Sequence, residues 1–231
     1  MTILKFKFFF MRKLIIYLLL LTPVVCSAQG LGIGLKAGYN FANVTNASSI
    51  NNSGRAGYLF GIFLAPQTKG IITSRHEFIY SRQGYNFDNG ATTGNVNLDY
   101  IIIPQMLGIN ITKFVQLQLG MQLAYLLNAK ADSANKSSGN TDSYSSVMSY
   151  YNPFDYGFGA GVELHPVLGL LIGARYNVSL NKMYKGLETG QAPSFSSVDA
   201  KNNVVQIFGG WIFGKKSNSK KKNQSPSQNN Q

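Results

Sequence analysis

The sequence predicts an all-β fold, an eight-stranded antiparallel up-and-down transmembrane barrel. Three observations predict it. First, the stretch FVQLQLGMQLAYLLNAK (114–130) sets Gln116, Gln118, Gly120, Gln122 and Ala124 against Val115, Leu117, Leu119, Met121, Leu123 and Tyr125, the period-two division of a strand with one polar and one apolar face. Second, this run exceeds the five or six residues usual in soluble sheets and meets the roughly 9–11 that a tilted strand needs to cross a bilayer. Third, charged residues make up only 13% of the chain while Gly (24), Phe (15) and Tyr (13) are plentiful, a composition suited to β-structure anchored by interfacial aromatics.

The N-terminus reads as a signal peptide over residues 1–28. In MRKLIIYLLLLTPVVCSAQG, Arg12 and Lys13 precede an apolar run, Leu14 to Leu21, and Cys26-Ser27-Ala28 supplies a cleavage site before Gln29. Either Met1 or Met11 can serve as the start. The apolar run is shorter than the roughly 20 residues a helical span needs. Val25 before Cys26 speaks against a lipoprotein signal, and the chain contains no other cysteine, so cleavage after Ala28 leaves a domain without thiol or disulfide chemistry.

The barrel is expected over 29–214. Its candidate strands are 31–43, 55–66, 71–87, 96–110, 113–128, 154–165, 168–181 and 203–213. QTKG (67–70), ITK (111–113) and PVLG (166–169) read as tight turns, and 44–54, 88–95, 129–153 and 182–202 as longer polar loops. Outer-membrane barrels combine short periplasmic turns with long extracellular loops in this way. The faces Phe154, Tyr156, Phe158, Ala160, Val162, Leu164 and Leu170, Ile172, Ala174, Tyr176, Val178, Leu180 are too continuously apolar for water and too large for the inside of an eight-stranded barrel. They are assigned to lipid, with Phe41, Tyr58, Phe60, Tyr125, Phe154 and Tyr156 as one aromatic girdle and Trp211 and Phe213 as the other. This register also turns Arg82 and Gln105 outward, which calls for a bulge or snorkelling. After Phe213 the segment KKSNSKKKNQSPSQNNQ (215–231) lacks aliphatic and aromatic residues and is expected to be a basic, disordered periplasmic tail.

The formal charge of +12 is mostly terminal: four cations in 1–28 and five in 215–231 leave the body at +3. A nucleic-acid function is therefore not expected. GLGIGLKAG (30–38) resembles a dinucleotide glycine loop only superficially, since it runs into a strand where that motif needs a helix. His76 and His165 are the only histidines. They read as rim and turn residues, not as members of a triad or metal set. No cofactor, metal or catalytic residue is expected.

GLKAGYNFANV, HEFIYSRQGYNF, LDYIIIPQMLGIN, LQLGMQLAYLLNAK, YGFGAGVEL, GARYNVSLN and VVQIFGGWIFG, in that order over about 29–214, resemble the PorT-like outer-membrane β-barrel family of Gram-negative bacteria. The resemblance implies an eight-stranded barrel exported by a signal peptide. Members mostly lack an assigned activity, and some are associated with protein export. It carries over no catalytic set. The family's Glu near the middle of the fourth strand is Ile102 here, and the chain runs on past Phe213.

The expected function is that of a non-enzymatic, monomeric integral protein of the cell outer membrane, structural or adhesive, or accessory to an envelope or protein-secretion assembly. Its expected partners are outer-membrane lipid and an envelope or secretion-system protein. A lipid-modifying barrel enzyme is the alternative. Inside, Lys36, Glu77, Glu163 and Arg175 share the lumen-facing parity and are expected to form a structural ionic cluster of two cations and two anions. Glu77 and Arg175 should bridge across the lumen, because an ion left unpaired there costs several kcal/mol.

Overall fold

The computed structural model describes residues 31–45, 53–66, 70–88, 90–135, 138, 141–167, 169–185 and 200–213. The expected signal peptide (1–28) and basic tail (215–231) lie outside the described residues. Among the described residues there are nine strands: β1 (Leu31–Thr45), β2 (Ser53–Pro66), β3 (Ile72–Asp88), β4 (Thr92–Asn110), β5 (Val115–Asn135), β6 (Thr141–Ser146), β7 (Phe154–Leu164), β8 (Leu170–Ser179) and β9 (Lys201–Ile212). Eight of them pair antiparallel with their neighbours in the order β1-β2-β3-β4-β5-β7-β8-β9, and β9 returns to β1 to close the ring. Closure leaves no unpaired edge, which a strand in hydrocarbon could not tolerate.

The expected eight-stranded ring is present, and the ninth strand lies outside it. β5 runs beyond the expected end at 128 to Asn135, and β6 folds back on it, pairing Lys130 with Ser146 and Ala134 with Thr141. This hairpin projects from the long-loop end within a segment expected to be a loop. Nor is 88–95 a long loop. β3 and β4 continue to Asp88 and Thr92, joined by a tight turn in which Gly90 takes φ +89° and its N–H donates to Asp88 Oδ1 at 2.9 Å. DNG is a hairpin-turn sequence, and glycine alone adopts that φ freely.

Side chains alternate across the wall as the period-two pattern requires. On β5, Gln116 and Gln118 are buried in the lumen while Leu117, Leu119, Met121 and Leu123 are exposed on the outer wall. Leu119 is 60% exposed and its neighbour Gln118 only 4%. At the long-loop end the outer aromatics cluster, with Phe60 and Tyr80 centroids 5.1 Å apart and Tyr125 edge-on to Phe154 at 5.0 Å. Trp211 and Phe213 are exposed toward the short-turn end.

The lumen is not polar throughout. In the long-loop half, Tyr85, Val96, Leu98, Tyr100, Ile102 and Leu126 form an apolar core. A second cluster of Leu59, Phe63, Ile79, Leu171, Phe208 and Ile212 lies on the β2, β3, β8 and β9 side. The charged layer is packed among these aromatic and aliphatic side chains.

Placing a charge on the outer wall tests the belt. Met121→Arg, at mid-barrel, should destabilise the folded barrel in vesicles by about 2–4 kcal/mol, and Leu127→Arg at the long-loop rim by about 1 kcal/mol or less. Equal costs in equilibrium urea unfolding would mean that the belt is misplaced.

Candidate functional site

Because β3 and β8 stand half a ring apart, inward side chains of the two strands meet across the lumen. Arg175 on β8 grips Glu77 on β3 with both guanidinium nitrogens, Nη1 to Oε2 at 2.9 Å and Nη2 to Oε1 at 2.8 Å, and Nη2 also donates to Gln118 Oε1 at 2.7 Å. Lys36 Nζ on β1 donates to Glu77 Oε2 at 3.1 Å. Glu77, Arg175, Lys36 and Glu163 are all 2% exposed or less. Forked, charge-assisted bonds of this kind are among the strongest a protein makes, and burial makes their completeness essential.

Glu163 joins through a residue absent from the expected cluster. Arg75 Nη1 donates to Glu163 Oε1 and lies 4.0 Å from Glu77 Oε1, while His165 Nε2 lies 3.5 Å from Glu163 Oε2. The layer thus holds Lys36, Arg75 and Arg175 against Glu77 and Glu163, a formal +1 with His165 neutral. The expected balance of two cations and two anions is corrected accordingly. Arg75 was legible: it precedes Glu77 by two residues and so shares its face. Aromatic faces help to accommodate the surplus. Lys36 Nζ lies 3.4 Å from the Phe208 centroid and Arg75 stands 4.8 Å from that of Phe63, within cation–π range.

Above this layer, polar side chains give way to a tyrosine lid. Asn40 donates to Ser81 at 2.8 Å and to the Arg82 carbonyl at 2.9 Å, and Asn202 donates to Gln83. Tyr85 then bonds both Tyr151, at 2.8 Å, and Tyr184 through their hydroxyls. The last two also form a backbone bridge beside the short 3-10 turn Met148–Tyr150. Burial pushes the Tyr184 phenol up to about 12, which extends the range over which its hydroxyl keeps its proton further into alkaline pH. Tyr151 and Tyr184 lie in connections without a periodic pattern, and nothing in the sequence marked them.

The two outward polar residues also find partners. Arg82 donates Nε and Nη2 to Asp99 at 2.7 and 3.0 Å and stands over the Tyr58 ring at 5.4 Å. His76 faces Gln105 directly across the β3–β4 ladder. Cross-strand pairing thus serves both residues, and a register shift of the β4–β5 ladder at Asp99/Tyr100 places a bulge of the expected kind beside the Arg82–Asp99 pair. Among the described residues, no group of three or more His, Cys, Asp or Glu is placed to hold a metal.

A closed ring with an apolar exterior and a bridged interior is the geometry of an outer-membrane barrel, and the family model described as "Outer membrane protein beta-barrel domain" matches residues 27–185. The chain belongs to that family. It is a protein of the outer membrane. No curated protein matches it significantly. Among solved structures it is similar to Ail, the attachment invasion locus protein of Yersinia pestis, at 16% identity and TM-score 0.44, over 79% of this chain and 98% of that one. It is similar also to Neisserial surface protein A, at 12% identity and TM-score 0.49, over 79% and 98% of the two chains.

The cross-lumen bridge should be visible energetically. Glu77→Gln leaves Arg175 and Lys36 without their carboxylate and should cost about 3–5 kcal/mol of barrel stability. In a double-mutant cycle with Arg175→Met the pair should couple by about 1–3 kcal/mol. Additive effects would mean that the bridge contributes nothing.

Proposed function

We propose that this outer-membrane barrel is closed and non-enzymatic, a structural anchor whose long-loop end faces the outside. That end would serve adhesion or dock an envelope or protein-secretion assembly. The carrying observation is the filled lumen: side chains from β1, β3, β5 and β8 bond to one another across it, and Tyr85, Tyr151 and Tyr184 are joined above them. A barrel of eight strands is just wide enough for its own side chains, so the bonded layers act as a plug. With transport and diffusion set aside, the exposed ends are left to act. The orientation follows from short turns lying in the periplasm. The PorT-like motifs, some of whose bearers are associated with protein export, support the accessory role.

A lipid-modifying enzyme would need base, acid and hydroxyl in one cavity. His165 stands beside Glu163 at the short-turn end, whereas Ser81 is bonded to Asn40 and Gln83 and lies four residues beyond Glu77 on β3, about 13 Å along the strand. Ser179 is bonded to Asp155 near the opposite end. His76 is on the outer wall. These groups are dispersed, which favours the non-catalytic reading.

Three measurements test the proposal. The purified barrel in planar bilayers should give no stepwise conductance, and reproducible steps would remove the plug. An epitope inserted at Ser138 should be labelled on intact cells, and labelling only after lysis would reverse the orientation. Incubation with phospholipid should yield no acyl transfer, and turnover lost in His165→Ala would establish the enzyme instead.

A further inference from the structure

We infer that the outer wall of the barrel carries a binding site for a phosphorylated lipid, with a cationic headgroup cavity near the long-loop rim and an apolar trough for an acyl chain below it. This goes beyond the proposed anchoring role. It rests on membership of the outer-membrane family, not on any recognition by the loops.

The upper part is a cavity of about 520 Å³ whose lining includes Arg55, Arg82 and Lys130 together with Asp99, Asn97 and Asn128. Formally it holds three cations and one carboxylate. Asp99 is already engaged, accepting two bonds from Arg82 and one from Asn128 Nδ2 at 3.3 Å. That grip fixes the guanidinium over Tyr58, while Arg55 is positioned by donating to Asn86 Oδ1 at 3.1 Å. The resulting surplus of positive charge, with amides alongside, is the chemistry that recognises phosphate.

The lower part is a trough of about 950 Å³ walled by Leu35, Phe60, Ile62, Phe78, Tyr80 and Trp211. Its floor exists because Ala37 and Gly209 stand opposite each other in the β1–β9 ladder, two small residues on a face that otherwise carries large ones. The two parts adjoin. Phe78, Tyr80 and Arg82 follow one another on the outer face of β3, each about 7 Å above the last along the strand, and Tyr58, Phe60 and Tyr80 form the ring cluster between trough and cavity. Charge at the level of the aromatic girdle with an apolar channel beneath is the layout of a lipid, headgroup at the interface and chain in the hydrocarbon. A soluble phosphate would use the upper cavity alone.

Native mass spectrometry of the full barrel released from detergent tests this, with diphosphoryl lipid A, its dephosphorylated form and inorganic pyrophosphate as probes. The wild type should retain diphosphoryl lipid A and lose about tenfold in apparent affinity, about 1.4 kcal/mol, when the phosphates are removed. The doubly substituted Arg55→Gln/Lys130→Gln protein should lose about thirtyfold, at roughly 1 kcal/mol per cation near a lipid surface. Gly209→Leu fills the trough at a point where an added Cβ has its nearest neighbour at 3.8 Å. It should weaken lipid binding about tenfold, the loss of roughly two buried methylenes, without altering any pyrophosphate binding. All variants should keep the faster-migrating unboiled band of a folded barrel. Unchanged lipid retention in the double variant overturns the headgroup site, and unchanged retention in Gly209→Leu overturns the trough. Pyrophosphate bound as tightly as the lipid would make this a soluble-anion site and overturn the lipid assignment.

Discussion

Backbone hydrogen bonding in a solvent without water is the constraint on which this structure depends. Every N–H and C=O that crosses hydrocarbon has to be paired within the protein, and the pairing of β9 with β1, from Gly34 opposite Ile212 to Thr45 opposite Lys201, meets that demand by abolishing the edges. Closure then dictates the rest. The apolar face must turn outward, the polar face is confined to a narrow lumen, and the side chains there must satisfy one another. The Glu77–Arg175 fork follows from closing eight strands around ionisable residues.

The distribution of apolar side chains inside the barrel completes that logic. The ion-paired layer lies at one level near the short-turn end, with Phe208 and Phe63 against its cations, while Asp155 near the other end accepts from Ser179. Toward the loops, Val96, Leu98 and Ile102 line the β4 side. Ile102, where the PorT-like pattern carries Glu, is 2% exposed in the lumen, so an apolar side chain belonging to the core cluster stands where that pattern has a carboxylate. Gly173 allows the ionic layer to close, because a Cβ there would lie 2.7 Å from the Phe208 ring and 2.8 Å from Glu163 Cγ. The absence of a side chain at that position is part of how the carboxylate and the ring share space.

Much of this was legible in the sequence because strand periodicity is a strict rule. The alternation in 115–126 fixes which β5 residues see lipid, up to the register shift opposite Asp99/Tyr100 that turns Ala129 inward and Lys130 outward, and the same parity names Lys36, Glu77, Glu163 and Arg175 as inward. Arg75 obeys that parity equally and was overlooked, which is a failure of enumeration and not of signal. The β5–β6 hairpin and the tyrosine lid were illegible for a physical reason. Above the membrane neither face of a strand is obliged to be apolar, so polar segments such as ADSAN can pair as strands without announcing it. Tyr151 and Tyr184 are brought to Tyr85 by tertiary contact alone. The polar outer positions fell between these cases: parity correctly turned Arg82 and Gln105 outward, but only register could supply Asp99 and His76 as their partners.

Those outer pairs also make the apolar belt uneven around the ring. On β5, outward aliphatic residues run from Leu117 to Leu127, about 33 Å along the strand and about 25 Å in height at a barrel's usual tilt. On β3 the outward apolar stretch is bounded by His76 and by Arg82, about 20 Å along the strand and about 15 Å in height. A bilayer meeting a short apolar span thins or draws polar groups inward at modest cost per ångström. The Arg82–Asp99 pair therefore does not need to be lifted to the mean headgroup level, because on that side the headgroup level can come down to it. The cationic cavity opens on this same short side of the wall. A lipid whose phosphate sits below its neighbours' would relieve the mismatch there, joining the shape of the belt and the chemistry of the cavity in one local adaptation of the membrane.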